Sequence, residues 1–263
     1  MAATFPSCSP GQCYTPQEEF GALKASATLF RLRMLITAAI LCIGFWAPWI
    51  QFWGFGSRIS LLGWLALEIS RLGMLSFTVA TPVVIVIASL CAAIGAALRI
   101  SGSAWLGHAT VLHAEMQSGT LMADGPYRYV RNPLYLGLML TIAALTLLMP
   151  ASGALFVLLA VPLFLLILIQ GEEKFLSAQI GEPYREYMRF VPRIFPRLRA
   201  SLPPAGNKPL WLTALLSEIN PLGVFITLAF FSWTYNNRLM IQAILVTFGL
   251  SLVMRALLPR SSS

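Results

Sequence analysis

Charged residues are scarce in this 263-residue sequence, making up 11% of it against 57% for hydrophobic residues. Soluble domains have about 25% charged and about 45–50% apolar residues. Aspartate occurs once, as Asp124. The chain has too few polar side chains to cover the surface of a water-soluble protein. The composition therefore excludes an ordinary soluble domain and predicts an integral membrane protein.

Metal-binding and disulfide patterns are lacking as well. No CxxC pair is formed by the four cysteines, which are Cys8, Cys13, Cys42 and Cys91. The two histidines, His108 and His113, stand near Glu115, but their five-residue spacing does not place them on one helical face and no third clear ligand follows. We therefore predict reduced, structural thiols and no metal site.

Long apolar runs occupy most of the chain. A helix needs about 20 apolar residues to cross a hydrocarbon core of about 30 Å. The sequence predicts six spans, at residues 34–53, 72–98, 134–149, 151–169, 210–235 and 239–254. The predicted fold is all-α, a polytopic transmembrane helical bundle in which Pro150 turns the third and fourth spans into a central hairpin. Residues 54–71 are expected to lie along the outer surface or to re-enter partway.

The net charge of +8 follows from the distribution of basic residues around these spans. With the N-terminus in the cytoplasm, fifteen of the 18 Lys and Arg fall on the cytoplasmic side, and Arg58, Arg71 and Arg238 fall outside. Cytoplasmic loops collect basic residues. The pattern predicts that both termini are cytoplasmic and explains the basicity without nucleic acid. The compact chain favours a bacterial cytoplasmic membrane.

Four regions follow from this arrangement: a leader at residues 1–33, transmembrane helices at 34–99, a core with the hairpin at 100–200, and a C-terminal helix pair at 201–263. At 1.5 Å per residue the helix at 134–149 climbs about 24 Å and the next one returns. Both ends of the hairpin therefore meet at one membrane face. The hairpin begins with GPYRYVRNPLYLG, residues 125–137, and ends with QGEEKFLSAQIGEPYREYMRFVPRIFP, residues 170–196.

The first motif suits a helix start that binds oxygen atoms. Pro133 fits the first turn of a helix, and Asn132 before it is predicted to cap the free amides, which also attract carboxylate, ribose and phosphate oxygens. In the second motif Glu172 and Glu173 follow the apolar run directly. Adjacent helical side chains point about 100° apart, so one can face a pocket while the other faces solvent or an arginine.

The other charges near the membrane have simpler interpretations. A lipid-facing basic stripe is the first interpretation of the arginines after the hairpin, which are Arg185, Arg189, Arg193, Arg197 and Arg199. Of these, Arg193 stands between two prolines and is the one that looks positioned for a specific task. Glu218 begins the C-terminal pair close to the predicted cytoplasmic end, and we interpret it as interfacial.

Together the two motifs resemble the isoprenylcysteine carboxyl methyltransferases and their relatives, the phospholipid methyltransferases. The resemblance covers about residues 94–199, including the lead-in LRISGSAWLG at 98–107. It implies an integral membrane enzyme that transfers a methyl group from S-adenosylmethionine to a lipid-borne or prenylated acceptor. The cofactor would bind at the cytoplasmic ends of the hairpin.

Carried over residue by residue, the resemblance implies a cofactor site with two walls. One wall would consist of Tyr127, Arg131, Asn132, Pro133, Tyr135, Leu136 and Gly137. Glu172 and Glu173 would lie opposite, and Tyr184, Tyr187 and Arg193 would close the site. Glu173 and Arg193 are the predicted catalytic residues. Asn132 stands where the prenylcysteine enzymes typically have histidine, and because it cannot titrate we expect no acid or base there.

Several functions remain open at this point. The acceptor can be a prenylcysteine carboxylate, which we favour, a phosphatidylethanolamine amine, or a small hydrophobic acid or thiol. A sterol-type reductase with NADPH shares the RNPLYLG region, although such proteins are typically longer. A membrane scaffold or small transporter is the non-enzymatic alternative. The oligomeric state cannot be inferred from the sequence.

Overall fold

A computed structural model describes residues 16–46, 59–109, 123–204, 206–234 and 237–257. Regular structure in these ranges is helical, apart from one isolated β-bridge between Ser60 and Pro150. The α-helices are α1 (Pro16–Trp46), α2 (Leu61–Arg71), α3 (Phe77–Ala109), α4 (Pro133–Leu145), α5 (Ala151–Ile180), α6 (Glu182–Phe190), α7 (Trp211–Ser217), α8 (Ile219–Thr234) and α9 (Asn237–Leu257). Short 3₁₀ turns at Gly125–Arg128 and Thr146–Leu148 flank α4. The predicted all-α class is confirmed for the described ranges.

The predicted count of six spans is not confirmed. In the described ranges three helices are long and apolar enough to cross a membrane, in α1, α3 and α5, and a fourth span results if α7 and α8 count as one. Those two helices are bent by 69° at Glu218, where a single straight span over residues 210–235 was expected. The apolar parts of α4 and α9 are shorter than a full crossing.

Large apolar side chains face outwards along the two longest spans. On α5 the exposed residues recur every fourth position, at Leu155, Leu159, Leu163 and Ile167. A similar stripe runs along α3, at Val83, Ile87, Leu90 and Ile94. Contiguous apolar surface of this kind is stable against lipid and rare against water. The helices therefore suit an integral membrane protein, as the composition predicts.

Several helices continue past the predicted membrane boundaries. Helix α1 begins at Pro16, inside the predicted leader, α3 runs to Ala109, and α5 runs to Ile180. Backbone hydrogen bonding does not stop where the apolar run ends, so a polar extension remains helical until a residue disfavours it. At the end of α5 that residue is Gly181, whose φ of 78° lies in the left-handed region.

Helix α3 is the centre of the packing, with α4 and α8 along it, while α1 packs along α5. The crossing of α3 and α4 depends on two glycines. A Cβ atom on Gly137 would lie 2.6 Å from the Gly95 carbonyl oxygen and 2.6 Å from Cγ of Arg99. Glycine at 95 and 137 therefore lets the two backbones approach closely, as small residues do in membrane helix pairs.

The segment predicted at the outer surface contains α2, and its first residues, 54–58, lie outside the described ranges. The Oγ atom of Ser60 accepts from the backbone N–H of Gly63, at 3.3 Å, and caps the helix. The backbone N–H of Leu61 donates to the Met149 carbonyl oxygen at 2.7 Å. Helix α2 therefore lies at the turn of the hairpin, at the opposite end from the two motifs.

Candidate active site at the ends of the central hairpin

The first motif forms the entry to α4 through a short 3₁₀ turn and an extended stretch. Pro133 occupies the first helical position, as predicted. Asn132 precedes it, but its side chain makes no capping hydrogen bond, which corrects the predicted cap. Its Nδ2 atom instead donates to Glu173 Oε1 at 3.4 Å and to the Arg193 carbonyl oxygen at 3.1 Å. The Asn132 side chain therefore bonds to two acceptors in the second motif and not to the free N–H groups of its own helix.

Glu173 is buried at the centre of a charged cluster. Arg193 donates to Glu173 Oε2 through Nε at 3.0 Å and through Nη2 at 2.7 Å. Nε of Arg131 lies 3.5 Å from Glu173 Oε1. Two guanidinium groups therefore flank the carboxylate of Glu173.

Glu172 points in a different direction from its neighbour, as predicted from the angle between adjacent helical side chains. The hydroxyl group of Tyr135 on α4 donates to Glu172 Oε2 at 2.9 Å. Glu172 is half-buried, whereas Glu173 is buried. The two carboxylates thus join α5 to the entry of α4 at two separate points.

Residues 191–201, which we call the basic loop, are held against the entry motif by backbone hydrogen bonds. Arg131 N–H donates to the Pro192 carbonyl oxygen at 2.8 Å, and Arg197 N–H donates to the Tyr129 carbonyl oxygen at 3.1 Å. A third bond, 2.9 Å long, joins Ser201 N–H to the Arg128 carbonyl oxygen. This ladder keeps Arg193 in position beside Glu173.

Tyr184 and Tyr187 lie on the inner face of α6, and both are buried. Their ring centroids are 5.8 Å apart, and the Tyr187 hydroxyl donates to the Tyr127 carbonyl oxygen at 2.8 Å. Burial raises the pKa of both phenols, and of Tyr127, above the ordinary value for tyrosine. They remain neutral at physiological pH and attach α6 to the entry motif.

The structure divides the predicted site residues into two groups. Six meet at the ends of the hairpin: Arg131, Asn132, Tyr135, Glu172, Glu173 and Arg193. Pro133 and Gly137 are buried on the side of α4 that faces α3, next to Gly102 and Gly95 respectively. Leu136 is half-buried, and its N–H donates to the Asn132 carbonyl oxygen. A part in cofactor binding stays a prediction for all of these residues.

The cluster has an unused donor. In the described part of the chain, Nε of Arg131 is buried and has no hydrogen-bond partner. The Oε1 atom of Glu173 lies 3.5 Å away as an ion-pair partner but makes no hydrogen bond with this donor. A ligand that brings a carboxylate or a hydroxyl oxygen to this point would satisfy it.

A second buried carboxylate, Glu218, lies outside this group. Its Oε2 atom accepts from Arg99 Nε at 2.7 Å, and its Oε1 atom accepts from the Ser103 hydroxyl group at 2.7 Å. Arg99 also donates to the Leu134 carbonyl oxygen at 3.2 Å, in the first turn of α4. The interfacial depth inferred for Glu218 stays a prediction, and the structure adds that its carboxylate is buried in a cluster. The sequence singles out Glu218, but no local signal connects it with Arg99, which is 119 residues away.

Asp124 is a further residue that the motifs did not reveal. Its carboxylate is buried and accepts from the backbone N–H of Gly206 at 3.4 Å and of Asn207 at 3.1 Å. These bonds tie the linker before α7 to the start of the entry motif. The C-terminal helix pair is thus connected to the hairpin ends both by Asp124 and by Glu218.

The histidines, the cysteines and Glu115, which the sequence analysis considered as metal ligands or thiols, are only partly described by the structure. Within the described residues no three His, Cys, Asp or Glu side chains form a group that could hold a metal. His113, Glu115, Cys8 and Cys13 lie outside those residues, and nothing is described of the His108 side chain. Cys42 and Cys91 are free thiols.

Comparison with known proteins connects this site to a family. Residues 83–182, which include α4 and α5, match the family model described as phospholipid methyltransferase. Methanethiol S-methyltransferase 2 of Bradyrhizobium diazoefficiens is 43% identical over 74 residues. That match covers 28% of this chain, and the chain spans only 28% of the length of that relative. No solved structure matches the chain.

Residues 83–182, which contain the helical hairpin, therefore carry the sequence pattern of the phospholipid methyltransferase family. Over that segment the comparisons support the family predicted from the two linked motifs.

Proposed function

We propose that this chain is an S-adenosylmethionine-dependent methyltransferase whose cofactor binds at the ends of the central hairpin. The observation that carries the proposal is the meeting of Arg131, Asn132 and Glu173 with Arg193, inside and just beyond the matched segment. Polar side chains converge here from two motifs that are separated by 32 residues, at the boundary of an otherwise apolar bundle.

The side chains at this place fit the functional groups of the cofactor. Arg131, with its unused Nε, offers a donor for the carboxylate of the cofactor. Glu172 and Tyr135 offer an acceptor and a hydroxyl group for an ammonium group or ribose hydroxyls. When bound, S-adenosylmethionine supplies a methyl group on a positively charged sulfur atom.

Methyl transfer from a sulfonium is an in-line displacement, so alignment and exclusion of water can supply much of the rate. The residues of this chain would align and shield the reactants. Glu173 holds Arg193 through two hydrogen bonds, which fixes the guanidinium group for a second, planar partner. Asn132 keeps a hydrogen-bonding role without titrating.

The acceptor that we propose first is an isoprenylcysteine-type carboxylate, because 42% of the Arg193 side chain remains exposed while it is paired with Glu173. A guanidinium group that is positioned yet accessible can bind a carboxylate through two parallel hydrogen bonds. A phospholipid amine is the alternative suggested by the family description. A small thiol is a further candidate, since the matched relative is named for methanethiol.

The first test is a thermal-shift titration of the detergent-purified protein with S-adenosylhomocysteine, run beside NADPH. Stabilisation by S-adenosylhomocysteine alone supports the proposed class. Stabilisation by NADPH alone would support the sterol-type reductase, and no response to either would favour a scaffold or transporter. Transfer of a radioactive methyl group to a prenylcysteine, to phosphatidylethanolamine or to a small thiol then distinguishes the acceptors.

We propose the bacterial cytoplasmic membrane as the location, with both termini in the cytoplasm. The supporting observation is that fifteen of the 18 Lys and Arg fall on the side of the predicted spans that carries the hairpin ends. Cysteine accessibility to a membrane-impermeant reagent in intact cells tests the orientation, with Leu72→Cys for the outer end and Glu182→Cys for the inner end. Labelling of the inner cysteine alone would contradict it.

A further inference from the structure

The basic loop, residues 191–201, carries arginines and large apolar side chains side by side. Arg193, Arg197 and Arg199 are exposed, and the loop contains no acidic residue. Phe195 and Leu198 lie between them with 85% and 101% of their surface exposed. In the described structure α5 and α6 leave these two side chains without cover, so the loop presents apolar and basic groups together.

The depth of the loop follows from its contact with α5. The apolar part of α5, residues 151–169, is about 28 Å long at 1.5 Å per residue, which matches the hydrocarbon core. Glu173 therefore lies about 6 Å beyond the boundary, in the headgroup layer. Nη2 of Arg193 is 2.7 Å from Glu173 Oε2, so the basic loop begins at the same depth.

The loop is also held in place, so its exposed side chains have a defined position. The N–H groups of Arg131, Arg197 and Ser201 join the loop to the entry motif over its whole length. Phe195 and Leu198 are therefore presented by a fixed backbone at headgroup depth. Aromatic and aliphatic side chains beside arginines are typical of surfaces that dock onto anionic lipid.

We propose that the basic loop is a docking surface for anionic lipid, in which Phe195 and Leu198 enter the boundary between headgroups and acyl chains while Arg197 and Arg199 bind phosphate groups. The chemistry of the partner follows from charge complementarity, because Arg197 and Arg199 are exposed and the loop itself contains no acidic residue, which favours an anionic surface. The inference does not depend on the proposed methyl transfer, since it concerns the outer face of the loop.

The test places an environment-sensitive fluorophore at single cysteines in a cysteine-free full-length chain. The variants are Phe195→Cys and Leu198→Cys, each with the other apolar side chain retained. Glu182→Cys is the matched control, because Glu182 is exposed and follows the projecting end of α5, about 15 Å or more beyond the boundary. Each protein is reconstituted in nanodiscs of phosphatidylcholine with increasing amounts of phosphatidylglycerol.

Nitroxide groups at a shallow acyl-chain position report lipid contact. We expect quenching at 195 and 198, increasing with phosphatidylglycerol, and none at 182. Arg197→Gln combined with Arg199→Gln should raise the phosphatidylglycerol fraction needed for half-maximal quenching of the 198 label by at least about fivefold, the effect of one arginine at an anionic surface. Arg185→Gln combined with Arg189→Gln, on α6, should leave it unchanged.

Three results would overturn the inference. Labels at 195 and 198 as open to aqueous iodide as the label at 182 would mean that the loop does not dock. Protection from iodide without nitroxide quenching would mean that protein, such as a second copy of the chain, covers the loop. Equal quenching without phosphatidylglycerol would remove the specificity for anionic lipid.

Discussion

Two buried carboxylates, Glu173 and Glu218, are each paired with arginine, yet their surroundings differ. Arg99, the partner of Glu218, has 15% of its side chain exposed. The Ser103 hydroxyl group donates to the second carboxylate oxygen of Glu218. Arg193, the partner of Glu173, has 42% exposed. The first cluster is closed and joins three helices, whereas the second opens to the membrane surface and keeps an unused donor on Arg131.

The comparison shows that burial and ion pairing do not by themselves mark a functional site. Both carboxylates satisfy those criteria. What distinguishes them is the access of a ligand to the arginine and the presence of an unsatisfied partner. We therefore assign a structural role to the Glu218 cluster and a binding role to the Glu173 cluster, and each assignment can be tested separately.

The largest expected effect is on stability. Glu218→Gln leaves Arg99 buried without a charged partner, and breaking a buried pair in this way costs about 3–5 kcal/mol. Unfolding in mixed detergent micelles measures the loss. Glu68→Gln is the matched control, because Glu68 forms an exposed pair with Arg71, worth at most about 1 kcal/mol.

The same substitution also tests whether the Glu218 cluster is closed to ligands. The folded Glu218→Gln protein should bind S-adenosylhomocysteine with nearly the wild-type affinity. Replacing both partners, as Arg99→Met with Glu218→Leu, should recover much of the lost stability, because an apolar pair needs no compensating charge. A folded variant that has lost ligand binding would show that Glu218 belongs to the binding site.

The second effect concerns ligand binding at the open cluster. Glu173→Gln keeps the shape of the side chain but removes the charge that orients Arg131 and Arg193. We expect the Kd for S-adenosylhomocysteine to rise about tenfold or more, which corresponds to about 1.4 kcal/mol or more. Isothermal titration calorimetry measures it. Glu182→Gln, on the exposed side of α6, should bind as wild type, and unchanged binding in Glu173→Gln would remove Glu173 from the site.

The third effect separates packing from binding at Gly137. Gly137→Ala places a methyl group against Gly95 and Arg99, and overpacking of this kind costs about 1–3 kcal/mol. Gly249→Ala is the matched control, because a Cβ atom at 249 meets nothing within 4 Å. Alanine there should be neutral or stabilising. If Gly137→Ala weakens ligand binding without loss of stability, Gly137 lines the cofactor site as the resemblance implies.

The smallest effect is expected at Tyr135. Tyr135→Phe removes the hydroxyl group that donates to Glu172, one hydrogen bond worth about 0.5–1.5 kcal/mol. The Kd for S-adenosylhomocysteine should rise about two- to tenfold, with the melting temperature little changed. Tyr129→Phe serves as the control, since Tyr129 contributes to the ladder through its backbone. Equal affinities in both variants would place the Tyr135 hydroxyl outside the site.

Much of the candidate site could be predicted from the sequence, because its residues lie in two motifs joined by a hairpin. The apolar runs and Pro150 were enough to bring the ends of that hairpin together. The divergence of Glu172 and Glu173 followed from helix geometry alone. The hydrogen-bond partners of Asn132 could not be predicted from helix geometry. Whether an asparagine caps its own helix depends on which other acceptors and donors lie within reach of its side chain.

The sequence by itself determined the membrane character, the all-α class, the family resemblance of residues 83–182 and the place of the charged cluster. These depend on local composition and on short motifs. Only the tertiary structure decided the number of straight spans, the pairing of Arg99 with Glu218, and the exposure of Phe195 and Leu198. Apolar composition measures how well a segment dissolves in lipid, whereas the pairing of Glu218 depends on an arginine that meets it from α3, 119 residues away in the chain.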